Sequence, residues 1–102
     1  GAPGRCLRYR GLTLDPDAVE VRLDGRVLEQ LTAREFELLR ELLSSPGRVF
    51  TREILLAKLW GYDFFGDERV VDSHIKNLRK KLGVDYIETV RGVGYRVPKE
   101  HP

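Results

Sequence analysis

The sequence predicts an α+β domain in which a small antiparallel sheet precedes three helices and a β-hairpin ends the chain. Three patterns indicate this order. Short alternating apolar runs fill the first thirty residues, and apolar stripes at helical spacing follow in three segments. Two β-rich runs then flank a glycine-containing turn at residues 91–94. A chain of 102 residues forms one modest core, because two independent cores do not fit this length.

The composition, 41% hydrophobic and 33% charged, is typical of a soluble globular domain. No apolar run approaches the roughly 20 residues of a membrane-spanning helix, so we expect no membrane association. Cys6 is the single cysteine, which excludes an intrachain disulfide and a cysteine-based metal cluster, and no cofactor is expected. Residues 1–5 lack a signal-peptide pattern and are interpreted as a linker or cloning remnant. Residues 6–102 are interpreted as the domain, and we expect the protein to be cytoplasmic.

Two turn signals bound the predicted N-terminal strands. Leu12–Leu14 precedes the turn at 15–17, and residues 18–23 then alternate between apolar and polar, which predicts a second strand. The face expected to be buried carries Val19, Val21 and Leu23. Asp24-Gly25 is a hairpin signal because glycine tolerates the positive φ of such turns, and Arg26–Leu31 is the predicted return strand.

The first two helices begin at capping signals. Thr32 and Glu35 have the spacing of a capping box, in which each side chain bonds the backbone N–H of the other residue. The first helix runs to the break at 44–47, and Thr51 caps a second helix that ends at Trp60. The apolar stripes of these helices are Phe36, Leu39, Leu42 and Leu43, then Ile54, Leu55, Leu56 and Leu59.

A third helix is predicted from Arg69 to Leu82, and it separates apolar from polar residues. Its buried stripe consists of Val71, Ile75, Leu78 and Leu82. Its opposite face carries Ser73, Lys76, Asn77 and Lys80, flanked by Arg69, Val70, His74 and Lys81. The runs at 86–90 and 95–97 are predicted to form a hairpin that pairs with the extended residues Val49 and Phe50.

Charge is distributed unevenly along the chain. Residues 1–68 carry ten Lys/Arg against twelve Asp/Glu, a net charge of −2, whereas residues 69–102 carry eight against four, a net charge of +4. A basic segment of this kind suggests a surface for a polyanion. A helix with one polar face suits the DNA major groove, and Arg91 in the hairpin turn suits a minor groove with concentrated negative potential. On charge alone, a solvated helix end at Arg79–Lys81 explains the pattern as well.

Two segments resemble a known family. The run Arg69–Leu82 (RVVDSHIKNLRKKL), followed by Thr89–Arg96 (TVRGVGYR), is similar to the signature of the OmpR/PhoB class of response-regulator output domains. Leu31–Phe36 and Leu59–Gly61 match that class too, and the resemblance covers residues 6–97. It implies a winged helix-turn-helix fold and sequence-specific duplex DNA binding in transcription control.

The resemblance also implies roles for individual residues, since the family places its third helix in the major groove and its hairpin, the wing, at the minor groove. The positions that would face base edges or the groove floor are Val70, Ser73, His74 and Asn77. Those that would meet phosphates are Trp60, Arg69, Arg79, Lys80, Thr89 and Tyr95. Arg91 takes the minor-groove role. Ser73 and Asn77 stand where the family more often has an aliphatic residue and Arg, which bears on base preference rather than on docking.

Further partners follow from the resemblance alone. It implies an upstream receiver domain, phosphorylated by a sensor histidine kinase, whose dimerisation places two output domains on direct-repeat promoter sites. It also implies that the loop between the second and third helices contacts RNA polymerase. That loop consists of Tyr62, Asp63, Phe64, Phe65, Gly66, Asp67 and Glu68.

Several residues allow a second interpretation. His74 and Asp72 are two positions apart on a helix and point in different directions, so neither an acid–base pair nor a metal site is expected, and we expect no enzyme. Trp60 suits core packing as well as a phosphate contact. Phe64 and Phe65 indicate either one inward-facing ring or a partner surface. The competing class is a winged-helix protein-interaction module without specific DNA binding, which predicts an acidic or apolar face on the third helix.

Overall fold

The computed structural model describes residues 6–83 and 86–99, so the predicted linker at residues 1–5 lies outside the described residues. The elements in chain order are β1 (Leu7–Tyr9), β2 (Leu12–Asp15), β3 (Glu20–Leu23), β4 (Arg26–Val27), α1 (Ala33–Leu43), β5 (Phe50–Thr51), α2 (Arg52–Leu59), α3 (Arg69–Leu82), β6 (Glu88–Val90) and β7 (Gly94–Arg96). Across the described part of the chain, no helix combines the length and apolar character needed to cross a bilayer. The predicted α+β class is confirmed.

The N-terminal sheet has the antiparallel order β1-β2-β3-β4, and Leu14 pairs with Val21 in its centre. One prediction here is wrong: Val19 is 61% exposed, with a φ of 52°, and β3 begins only at Glu20. The cause is the preceding turn, in which the Asp15 carboxylate accepts hydrogen bonds from the backbone N–H groups of Asp17 and Ala18 (3.0 and 3.2 Å). Those bonds lengthen the turn and carry Val19 out of the strand.

The hairpin after β3 forms at Asp24-Gly25, as predicted, with φ angles of 51° and 85°. The return strand is shorter than predicted, because β4 ends at Val27. The Leu28 N–H still donates to the Val21 carbonyl (2.8 Å), and the chain then leaves the sheet for the start of α1. The proximity of a helix cap thus limits the length of this strand.

The capping box at α1 is confirmed and extends further than the sequence indicated. Thr32 Oγ1 accepts from the Glu35 N–H (3.1 Å), and Glu35 Oε1 accepts from the Thr32 N–H (3.0 Å). The same carboxylate, 2% exposed, accepts from Lys81 Nζ at 2.6 Å. Burial acts to raise the pKa of Glu35, but the bonds from Lys81 and Thr32 outweigh it and hold the pKa below its usual value. This pair fastens the last turn of α3 to the first turn of α1.

The three helices enclose the core, and α3 buries the predicted stripe completely. In α2 only Leu55 is fully buried, while Ile54, Leu56 and Leu59 pack against the core from its margin. A second sheet has the order β5-β7-β6, with Phe50 opposite Tyr95, which confirms the predicted pairing of the hairpin with the extended segment before α2. Both the helix and the wing that carry the candidate site therefore rest on the same core.

Candidate nucleic-acid interface

The outward face of α3 is polar and basic along its length. Ser73, Lys76, Asn77 and Lys80 are exposed, as is Arg69 at the first position of the helix. Val70 is half-buried and packs against the core, so only part of its side chain faces outward. The buried stripe on the opposite side holds this face toward solvent. It is free of carboxylates in the exposed positions, as a surface for a polyanion requires.

A cluster of rings lies where α2 ends beside the first turns of α3. Trp60 ends α2, and its ring packs edge-on to His74 (centroids 5.0 Å apart) and obliquely against Phe64 (6.3 Å). The Arg34 guanidinium lies 4.8 Å from the Trp60 centroid. His74 Nδ1 lies 2.8 Å from the Val70 carbonyl, which can only accept, so Nδ1 is the donor in this bond and Nε2 is left for other contacts. Trp60 and His74 are half-buried, so packing and surface exposure coexist at both.

Tyr95, for which the family resemblance implies a phosphate contact, is buried in this structure. It is 5% exposed, and its hydroxyl donates to Asp72 Oδ1 in a short hydrogen bond. Asp72 also accepts from Arg52 Nε at 2.7 Å. A tyrosine has one O–H to donate, so a phosphate contact by Tyr95 requires this hydroxyl to leave Asp72. The structure therefore gives Tyr95 a supporting position behind the candidate site.

Burial and the two hydrogen-bond donors act in opposite directions on Asp72. Burial raises its pKa, but the bonds from Tyr95 and Arg52 are together stronger and lower the pKa below its usual value. For Tyr95, burial and the adjacent carboxylate both raise the pKa of the phenol. The pair thus consists of a charged carboxylate and a neutral phenol at physiological pH.

The Arg79 guanidinium, like the Tyr95 hydroxyl, already has hydrogen-bond partners within the domain. Its Nη2 donates to Thr89 Oγ1 (2.6 Å) and to the Ile87 carbonyl (3.0 Å), and the guanidinium lies 5.5 Å from the Tyr95 ring centroid. The family resemblance implies that Arg79 and Thr89 contact phosphates. Here they bond each other across the junction of α3 and β6, while Thr89 itself is exposed.

The wing turn joins β6 to β7 and carries Arg91, which is exposed. Val93, 47% exposed, stands beside it. On the strands below, Arg96 and Glu88 form an ion pair (3.2 Å) across the hairpin. The wing therefore presents a cation at its tip, as the sequence predicted.

The loop between α2 and α3 divides its aromatic residues between two environments. Phe64 packs on Trp60, whereas Tyr62 and Phe65 are 92% and 97% exposed. Asp67 lies two residues before α3, and its Oδ1 accepts a hydrogen bond from the Arg69 N–H at 2.9 Å. Asp63, Gly66 and Glu68 are exposed. Of the two adjacent phenylalanines, Phe64 thus turns inward and Phe65 faces solvent, whereas the sequence allowed either one inward-facing ring or a partner surface.

Three helices followed by a hairpin that pairs with the strand before α2 define a winged helix-turn-helix domain. A model of the family described as "Transcriptional regulatory protein, C terminal" matches residues 26–97. The chain belongs to this family, the C-terminal DNA-binding domains of OmpR/PhoB-class transcriptional regulators.

Two curated relatives illustrate the similarity. Over 97 residues the chain is 50% identical to the regulatory protein VanRB of Enterococcus faecalis, covering 95% of this chain and 44% of that protein. Over 94 residues it is 48% identical to the transcriptional regulatory protein CseB of Streptomyces coelicolor, covering 92% and 40%. The chain thus spans about two fifths of the length of these relatives.

Solved structures agree with this assignment. The DNA-binding domain of Klebsiella pneumoniae RstA, in complex with the RstA box, superposes with a TM-score of 0.82 at 35% identity, over 92% of this chain and 97% of that one. The DNA-binding domain of CpxR from E. coli gives a TM-score of 0.81 at 36% identity, over 92% and 96%.

Proposed function

We propose that the domain binds duplex DNA through the α3–wing face, defined as the exposed face of α3 together with the wing turn. In this mode α3 enters the major groove and the wing turn lies over the adjacent minor groove. The observation that carries the proposal is the division of α3 into a completely buried apolar stripe and an exposed polar face with three cations, Arg69, Lys76 and Lys80. An α-helix fits the major groove, where each base pair presents a distinct set of donors and acceptors.

Exposure and hydrogen-bonding chemistry support different roles for different side chains. Ser73, Asn77 and His74 Nε2 offer donors and acceptors to base edges, and the exposed part of Val70 offers an apolar contact. Arg69, Lys80 and Thr89 are exposed and suit phosphates, as does the indole N–H of Trp60. We assign Arg79 and Tyr95 to the support of this face, with Arg79 adding positive charge near it. Arg91 suits the minor groove.

The wider partners belong to the same proposal. The relatives named above are more than twice as long as this chain. Such lengths leave room for the upstream receiver domain that the sequence resemblance implies. A sensor histidine kinase would act on that receiver as a separate protein. In the full-length regulator, two domains would bind direct repeats in the cytoplasm, and the loop at 62–68 would contact RNA polymerase.

Salt dependence tests the phosphate-anchored mode. Release of counterions from roughly 4–6 phosphates gives a slope of about −4 to −5 for log K against log salt concentration. Fluorescence anisotropy with a labelled duplex measures this slope. Lys80→Ala is expected to reduce its magnitude by about 1, whereas Arg8→Ala on β1, outside the α3–wing face, is expected to leave it unchanged. A slope near zero for the parent contradicts the proposal.

The loop at 62–68 is expected to serve transcription rather than DNA affinity. In the full-length regulator, replacing both Tyr62 and Phe65 with Ala should leave operator affinity nearly unchanged and reduce activated transcription in vitro, since both rings lie in solvent. The matched control is Phe64→Ala, which removes the ring packed on Trp60 and should lower both thermal stability and DNA affinity. If the double variant loses DNA affinity in parallel with transcription, the loop belongs to the DNA interface.

A further inference from the structure

The wing is attached to α3 at two places that lie about two helical turns apart. Asp72, in the first turn of the helix, accepts from the Tyr95 hydroxyl on β7. Arg79, seven residues later, donates to the Ile87 carbonyl and to Thr89 on β6. At about 1.5 Å of rise per residue these attachments stand roughly 10 Å apart along the helix axis. Two separated attachments restrict rotation of the wing, which one attachment does not.

The Tyr95 side chain is the common element of both attachments. Its ring has the Arg52 guanidinium 5.4 Å from its centroid and the Arg79 guanidinium at 5.5 Å. Its hydroxyl and Arg52 Nε converge on the same oxygen of Asp72. One tyrosine from the wing thus lies against Arg52 at the start of α2 and against Asp72 and Arg79, which stand about two turns apart on α3.

Because the Tyr95 side chain is buried, its hydrogen bond to Asp72 requires a defined position of β7 beside α3. Tyr95 is almost entirely buried, whereas the Asp72 side chain is 36% exposed, so the ring of Tyr95 and not the carboxylate fixes where this hydrogen bond forms. A charged acceptor also gives a stronger and shorter hydrogen bond than a neutral one. Within the described residues, no buried side-chain nitrogen or oxygen lacks a partner, so the position of β7 relative to α3 leaves this network fully satisfied.

We propose that Asp72 and Tyr95 are positioning residues that fix the offset between α3 and the wing, and hence the base-pair spacing between the major-groove and minor-groove parts of the binding site. The inference rests on the proposed function, because the offset affects recognition only if both elements enter the duplex. Successive base pairs stand about 3.4 Å apart. A wing displaced by that distance reaches the neighbouring base pair, so loosening this attachment relaxes the preferred spacing.

The test compares two tyrosine-to-phenylalanine variants, each of which loses only a hydroxyl group. Tyr95→Phe keeps the ring between the two guanidinium groups and removes the donor to Asp72. Tyr9→Phe is the matched control, because Tyr9 is also buried and its hydroxyl donates to the Pro98 carbonyl (2.5 Å), outside the α3–wing face. The probes are the tightest-binding duplex selected from a random pool and two derivatives whose A·T tract is moved by one base pair in either direction.

The parent and Tyr9→Phe are expected to bind the moved-tract duplexes about tenfold more weakly than the selected duplex. Tyr95→Phe is expected to reduce this discrimination by about threefold or more, mainly by losing affinity for the selected duplex. Asp72→Asn, which removes the charge while keeping the shape, should reduce discrimination in the same direction. Thermal melting accompanies each variant, and both Tyr→Phe changes are expected to lower Tm by similar amounts.

Two results overturn the inference in distinguishable ways. If the parent discriminates between spacings and both Tyr95→Phe and Asp72→Asn retain that discrimination, the residues only stabilise the fold, and the proposed function stands. If the parent binds no duplex, or binds all three duplexes equally, the α3–wing mode itself fails and the inference fails with it.

Discussion

Replacing Gly94 with alanine is expected to detach the wing and to abolish measurable DNA binding. Gly94 begins β7 and pairs with Thr51, and a Cβ at this position would lie 2.0 Å from the Phe50 carbonyl oxygen and 2.9 Å from Thr51 Cα. These are backbone atoms of a buried strand, so relief requires the two strands to separate. Overpacking of this kind costs about 3 kcal/mol, which corresponds to a Tm decrease of roughly 12–24 °C for a domain of this size. Differential scanning calorimetry measures the change.

Gly92→Ala is the control for this experiment. Gly92 has a φ of 77° but open space where a Cβ would stand, so its replacement carries only a conformational cost of about 1–2 kcal/mol. The Tm decrease should therefore be clearly smaller than for Gly94→Ala. Equal decreases would mean that the contact between β5 and β7 is looser than the structure describes.

Arg91→Ala is expected to produce the largest sequence-dependent loss of affinity. A narrow A·T minor groove has an enhanced negative potential that attracts an inserted arginine. On a site with a flanking A·T tract, the variant should lose about 1–3 kcal/mol of binding free energy. On the same site with the tract replaced by G·C pairs, the loss should be small, because the parent has already lost that contact.

Arg96→Ala controls for the loss of charge from the same hairpin. Arg96 pairs with Glu88 on the strands rather than standing at the turn, so its removal should change affinity on the two sites equally. Anisotropy titrations of both variants on both duplexes give the comparison. If Arg91→Ala loses the same affinity on each site, Arg91 contacts a phosphate and does not sense the groove.

The helical part of the fold follows closely from local patterns. The stripe in residues 69–82 and the two threonine caps predict α3 and the starts of α1 and α2, and the structure places them at those residues. Strand bounds were less predictable. Val19 fits the alternation of β3, yet the bonds to Asp15 place it in the turn. Alternation of apolar and polar residues predicts which side chains share a face of the strand. The residue at which the strand starts depends instead on the hydrogen bonds between the Asp15 side chain and the backbone of the preceding turn.

The candidate site was predictable where exposure follows from helical position and less so where side chains from distant segments meet. Lys76, Asn77 and Lys80 lie on the predicted outward face. The bonds of Tyr95 to Asp72 and of Lys81 to Glu35 join residues 23 and 46 positions apart. The spacing of apolar and polar residues within one helix or strand does not predict such contacts between distant segments. The one available signal was the presence of a carboxylate, Asp72, on a helix otherwise rich in cations.

Selection of bound sequences from a random duplex pool, with the parent and with Asn77→Ala, tests most directly whether the exposed face of α3 reads bases. The amide of Asn77 offers a donor and an acceptor that match N7 and N6 of adenine. The parent should enrich one motif, and Asn77→Ala should enrich the same motif with one position flattened. Lys76→Ala, a neighbour on the same face, should weaken binding without altering the motif. The absence of an enriched motif for the parent, or an unchanged motif for Asn77→Ala, would contradict base recognition by this face.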